Sequence, residues 1–325
     1  MNAVDRPFRS VALPRLSAPG PDELRERHFE PGLPCVLAGL YDAPALASWM
    51  TSFVECRERV RCVVSRQPEI RLISDAERPD VLDAAAHPEV DEFFAELGLG
   101  EVWRRATESA GLPPLVEPGE FLYVFSATLP ATLPFPPEPL GGELGELLYA
   151  DPRPRQLLVN ARGLLNRCHA HVHSYLLHQV HGRKRVRLFS PLDTARLVPN
   201  PDRRTAIEDF DRIDAARRPA VREATAYEGV LEPGDALYLP SYWWHEIRVD
   251  EPAISIGFHA PGGAARDAAL ALHEGIAAAL AAAVARAPDP RVLAGIAATL
   301  FTAAARDVAC DGVDATVEGL RYSYE

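Results

Sequence analysis

The chain has little cysteine, and none of it is spaced for disulfide or metal work. Its five cysteines, Cys35, Cys56, Cys62, Cys168 and Cys310, are odd in number and form no CxxC motif. That usage argues against a disulfide framework or a structural zinc knot and fits a reducing compartment. A long apolar run is also missing. The longest, around 275–285, falls well short of the ~20 residues a spanning helix needs, and the opening MNAVDRPFRS has no apolar signal core. A cytoplasmic protein without membrane contact is the expectation. Positive charge is in deficit, 34 Lys and Arg against 46 Asp and Glu, for a net charge of −12. This balance opposes the phosphate backbone, whose binding rests on Lys/Arg neutralisation, and argues against nucleic acid as a partner.

What is present describes an ordinary folded protein, 47% hydrophobic and 25% charged over 325 residues, enough for one catalytic core with an appendage. A short helix is expected over Pro21–Glu30 behind its N-terminal proline, then a buried strand at Leu33–Gly39. Helical stretches are expected around Ala45–Val54 and Val90–Ala110. Pro130–Gly142 holds five prolines and reads as a surface loop, possible at a pocket mouth. From Gln156 the texture turns to short apolar or alternating runs, Gln156–Asn160, Tyr175–Val180, Arg185–Phe189, Ala236–Pro240 and Ile254–Phe258, the strands of one barrel. The polar excursion Pro199–Glu228 reads as a lid or a partly disordered insert. An Ala/Leu-rich tail over 264–309, broken by Ala287-Pro-Asp-Pro290, reads as two packed helices. The domain reading is therefore 1–262 as the catalytic unit and 263–325 as a helical extension.

The strongest local signal is His169-Ala-His171-Val-His173. Alternate residues of a strand face the same way, so imidazoles at i and i+2 can converge on one metal. Tyr242-Trp-Trp-His245, just after Pro233-Gly-Asp235 and Leu237-Tyr-Leu-Pro240, supplies a third imidazole from a distant strand entered through a turn. Imidazole suits Fe, Cu, Zn and Ni. His173 shares a face with His171 and competes with it as third ligand or as a donor behind the ligands. The plainer reading, a surface or hydrogen-bonded core histidine, is kept for His28, His87, His178, His181 and His273. Asp193, Asp235 and Glu246 read as turn or surface acids.

The order HxH, Gln179-Val-His-Gly-Arg-Lys184, then PGDxLYxPxxWWH, resembles the JmjC/cupin-like Fe(II)- and 2-oxoglutarate-dependent hydroxylases, the asparaginyl hydroxylases among them. The resemblance runs from Cys35 to about His259. It implies a mainly β fold with flanking helices (α+β), a double-stranded β-helix or jelly-roll core, with the C-terminal helix pair serving a homodimer. It implies Fe(II) held by His169, His171 and His245, with His171 standing where the family usually has a carboxylate. It further implies 2-oxoglutarate bound by Lys184, with Tyr123 and Asn166 as donors to the same carboxylate. Tyr175 and Gly257 replace family asparagines, and Tyr175, His173 and Trp243 are candidates for substrate or outer contacts.

Three readings follow: an Fe(II)/2-oxoglutarate oxygenase acting on a peptide or protein side chain, a three-histidine cupin-type oxygenase working without 2-oxoglutarate on a small molecule such as a natural-product intermediate, and a non-catalytic metal-binding module.

Overall fold

The structure, a computed structural model, describes residues 7–70, 78–107, 115, 119–133, 142–149, 154–171, 173–198 and 204–260. The expected C-terminal helix pair, the start of the polar excursion and most of the proline-rich loop lie outside the described residues. The strands are β1 Arg9–Ala12, β2 Arg15–Ser17, β3 Cys35–Ala38, β4 Arg59–Ser65, β5 Glu69–Ile70, β6 Glu92–Gly98, β7 Phe121–Thr128, β8 Gln156–Asn160, β9 Leu165–His169, β10 Ser174–His181, β11 Lys184–Phe189, β12 Thr225–Leu231, β13 Ala236–Leu239, β14 Trp244–Val249 and β15 Ala253–Ala260. The helices are α1 Pro21–Leu24, α2 Ala43–Glu55, α3 Leu99–Thr107 and α4 Gly142–Leu148.

Two sheets form the core. One has six strands in the order β1-β12-β11-β14-β9-β5, the other nine in the order β2-β3-β13-β10-β15-β8-β7-β4-β6. Opposed residues of neighbouring strands share a face, so the pairing registers sort every side chain. On β10, Tyr175, Leu177 and Gln179 face the six-stranded sheet, whereas Leu176, His178 and Val180 face outward. The outward set packs with Leu46, Trp49 and Phe53 of α2 and Leu99, Val102 and Ala106 of α3. The strand is therefore buried on both faces, which is why its apolar residues Tyr175, Leu176, Leu177 and Val180 fall on both sides instead of alternating with exposed polar ones. Among the described residues, two apolar clusters lie between the sheets. One joins Leu13, Val186, Leu188 and Leu231 to Val36, Leu177, Leu237 and Leu239; the other joins Ile70 and Val249 to Val63, Phe94 and Tyr123.

The helix expected over Val90–Ala110 is only half correct. Glu92–Gly98 is strand, paired to β4 from Ser65↔Glu92 to Arg59↔Gly98, and the helix begins at Leu99. Phe93 and Phe94 are both buried on opposite faces of that strand, and this tertiary burial overrides a helix-compatible local pattern. The polar excursion is also no loose insert from Arg204 onward. Arg204 bridges to His169, Thr205 N donates to Cys168 O at 3.1 Å, and Phe210 is buried against Phe8 and Phe189. Among the described residues no helix is long and apolar enough to cross a membrane.

Candidate metal centre

His169 ends β9 and stands directly opposite His245 on β14, with a register shift just beyond, between His245 and Ile247. His245 also lies opposite Leu188, a residue of the inter-sheet core, so both imidazoles point between the sheets. His171 follows two residues after β9. Its carbonyl accepts from Tyr242 N at 2.6 Å. Tyr242 has φ +66°, a left-handed conformation that costs a bulky residue on the order of 1–3 kcal/mol and is retained where surrounding structure over-determines it. Here Trp243 Nε1 donates to Gly32 O and Trp244 Nε1 to Thr194 Oγ1, each at 2.8 Å, and Ser241 N donates to Ser174 Oγ at 3.2 Å.

The three imidazoles place one ligand atom each within 4.8 Å of one another. Ring centroids are 4.7 Å apart for His169 and His171, 4.1 Å for His169 and His245, and 4.6 Å for His171 and His245. His169 Nδ1 lies 2.8 Å from Arg167 O, and His245 Nδ1 lies 3.0 Å from Trp243 O. A carbonyl only accepts, so each Nδ1 donates and each Nε2 keeps its lone pair for a metal. His169 Nε2 is 2.8 Å from His171 Nε2; two nitrogens each ~2.0–2.1 Å from one ion and at right angles would be about 3 Å apart. Burial lowers His245 to about 4, opposed by the Trp243 carbonyl, so the neutral, ligating form prevails. The donor set fits a borderline metal ion such as Fe(II). Asp193, Asp235 and Glu246 do not serve these imidazoles: Asp193 pairs with Arg196 and accepts from Thr225 N, Asp235 holds Arg15 and the Gly39 and Glu232 amides, and Glu246 pairs with Arg187. Backbone carbonyls do that work instead.

Lys184 is buried on the inward face of β11, and its Nζ donates to Ser255 Oγ at 2.8 Å. Ser255 in turn donates to Gln179 Oε1 at 2.7 Å. No carboxylate pairs with Lys184 among the described residues, and burial lowers its pKa to about 7. Asn166 lies opposite Ile247, and its buried Oδ1 has no hydrogen-bond partner. An ammonium without a counter-charge on an inward face is suited to a small anion, whereas the Asn166 oxygen, an acceptor, calls for a donor. Tyr123 is placed differently from the sequence expectation. Its hydroxyl donates to Glu92 Oε1 at 3.0 Å, and Glu92 pairs with Arg78 at 3.0 Å; burial and the Glu92 charge push the phenol well above its ordinary range.

The structure gathers His169, His171 and His245 and leaves His173 aside, its ring 5.7 Å from that of His259. Trp243 is a core anchor packed on Tyr227, 5.3 Å between centroids, acting on His245 through its carbonyl. Tyr175 stands edge-on to His171 at 6.1 Å. Ser255, Gln179, Gln156 and Glu92 were not foreseen. Each is a common polar residue in an apolar run, and only strand pairing reveals which way it faces.

The cupin-like domain family model matches residues 21–259. The chain belongs to this JmjC/cupin-like family. The cupin-like chain is 40% identical over 86 residues to Jumonji C domain-containing protein 5 of Drosophila melanogaster, covering 26% of this chain and 21% of that protein. It is 26% identical over 259 residues to Lysine-specific demethylase 8 of Xenopus tropicalis, covering 76% of this chain and 52% of that protein. With human tRNA wybutosine-synthesizing protein 5 it shares 24% over 251 residues, 76% of each chain. It thus spans a fifth to about half of the first two relatives.

Proposed function

We propose that this cupin-like chain is an Fe(II)- and 2-oxoglutarate-dependent oxygenase that hydroxylates a protein or peptide side chain, with His169, His171 and His245 as metal ligands. The observation that carries it is the convergence of three imidazoles, their ligand atoms within 4.8 Å, on the inward face of a jelly-roll core. Bound Fe(II) supplies the redox chemistry by which O₂ and 2-oxoglutarate are consumed with release of succinate and CO₂. Lys184 holds the distal carboxylate of 2-oxoglutarate, and its buried ammonium needs such a counter-charge. Asn166 donates to the same carboxylate through its side-chain NH₂ group. The Trp243 and Arg167 carbonyls hold His245 and His169 in the ligating tautomer, and the apolar clusters on either side keep water out.

The relatives' names include Lysine-specific demethylase 8 and tRNA wybutosine-synthesizing protein 5; the net charge of −12 favours the protein class over RNA. A cytoplasmic homodimer joined through residues 263–325 completes the proposal, and light scattering of the chain with and without that segment tests it. The central test is anaerobic loading with Fe(II) followed by 2-oxoglutarate. A visible charge-transfer band, and succinate once air is admitted, are expected; their absence sinks the 2-oxoglutarate step.

A second reading is favoured by Tyr123 and Lys184 themselves, since the hydroxyl is committed to Glu92 and the ammonium to Ser255. In it the three-histidine centre acts without 2-oxoglutarate on a small molecule. Turnover that survives Lys184→Ala unchanged identifies that case.

A further inference from the structure

We infer that Tyr175 and Gly257 form one complementary unit, a crossbar that walls the metal pocket beside His171 and limits the size of whatever group approaches the metal; the inference rests on the metal reading above. Tyr175 starts on β10 and crosses the inward face of β15 toward β8. Leu177 is opposite Gly257, and Gly257 is opposite Gln156. The phenol donates to Gln156 Oε1 at the far side of that span. An ideal Cβ built on Gly257 lies 1.7 Å from Tyr175 Oη, 2.2 Å from Cζ and 2.7 Å from Cε1. The rigid ring thus fills the space that any side chain at 257 would need. Gly257 has no positive φ, so glycine stands there for the ring above it and not for its backbone.

The ring is also fixed at its sides, edge-on to His171 at 6.1 Å and to His259 at 5.4 Å. It is 7% exposed and packs in the inter-sheet cluster with Leu177 and Leu239. A side chain with two rotatable bonds, pinned at its tip and bedded along its length, makes a stiff wall. Gln156, half-buried at the start of β8, holds the tip. Tyr175 is therefore a specificity-determining residue, and a side chain at 257 is tolerated only where Tyr175 is made smaller.

The test uses the full chain loaded with Co(II), whose visible bands report ligands at the metal, titrated with imidazole and with the bulkier 4-phenylimidazole. Wild type and Tyr175→Phe are expected to bind imidazole and to exclude 4-phenylimidazole. Tyr175→Ala and Tyr175→Leu are expected to bind 4-phenylimidazole at least tenfold more tightly, with imidazole affinity unchanged. In thermal melts, Gly257→Ala is expected to lower the melting temperature, and Tyr175→Ala/Gly257→Ala to melt no lower than Tyr175→Ala alone. Equal affinity of wild type and both small variants for 4-phenylimidazole overturns the wall, and a Gly257→Ala protein that melts like wild type overturns the pairing. If wild type shows no Co(II) bands at all, the metal reading itself has failed.

Discussion

At the scale of single residues the site depends on which imidazoles share a centre and which charge is buried alone. His245→Ala is expected to abolish stoichiometric Fe(II) binding, measured by metal analysis after anaerobic desalting. His173→Ala is expected to retain it, because its ring faces His259 and not the triad. Lys184 carries a different expectation. Its folded pKa of about 7 lies below an unfolded value near 10.4, so the unfolded chain holds the proton more tightly. Stability is lost as pH falls from about 10 to 7, and the cost is complete below that, on the order of a few kcal/mol. Lys184→Met is therefore expected to raise the melting temperature of the ligand-free protein at pH 7, by less at pH 10, while abolishing any melting shift caused by 2-oxoglutarate.

At the scale of elements, alternation along β14 sends His245 inward and Glu246 outward, so the outer ion cluster indirectly holds His245 in place. Arg187 pairs with Glu246 at 2.9 Å, Glu228 at 2.8 Å and Asp211 at 2.7 Å, and Phe210 N donates to Glu246 at 3.2 Å. Removing one partner of a buried pair leaves an uncompensated charge and costs ~3–5 kcal/mol. Arg187→Ala is expected to show a loss of this size in urea denaturation, accompanied by weaker Fe(II) binding. The elements most legible in sequence were β10, β11, β13 and β15, short runs whose apolar residues follow from burial on both faces or at the sheet centre even where Ser, Gln, His, Lys or Arg interrupts them. The least legible was β6, where Phe93 and Phe94 sit in a pattern that a helix also satisfies. The side of the sheet each takes depends on its pairing with β4, which is not near in sequence.

At the scale of the whole molecule, two buried imidazoles set the acid limit of the metal-free protein. Burial lowers His178 to about 3, with Arg155 adding to the effect, and lowers His245 to about 4. The unfolded chain accepts protons at both from about pH 6.5 downward, whereas the folded chain does not. Stability is thus fully present above pH 6.5 and is lost as pH falls toward 4 and 3, by up to a few kcal/mol for each group. Melting temperatures of the metal-free protein recorded from pH 7 to 4 are expected to fall, and His178→Phe is expected to make that fall shallower.

The sequence by itself determined the class of fold, the two histidine motifs from which the clustered imidazoles come and the negative balance of charge. Each of these is written in local spacing or in composition: HxH on a strand, WWH after a PGD turn, apolar runs of strand length. Only the tertiary structure brought His171 rather than His173 together with His169 and His245, because that placement depends on the chain after β9 and the bond from Tyr242 N to His171 O. It alone committed Tyr123 to Glu92, and it alone joined Tyr175 to Gly257, which are 82 positions apart. Contacts of that kind are made by strand register, and register is a property of the closed pair of sheets rather than of any segment within them.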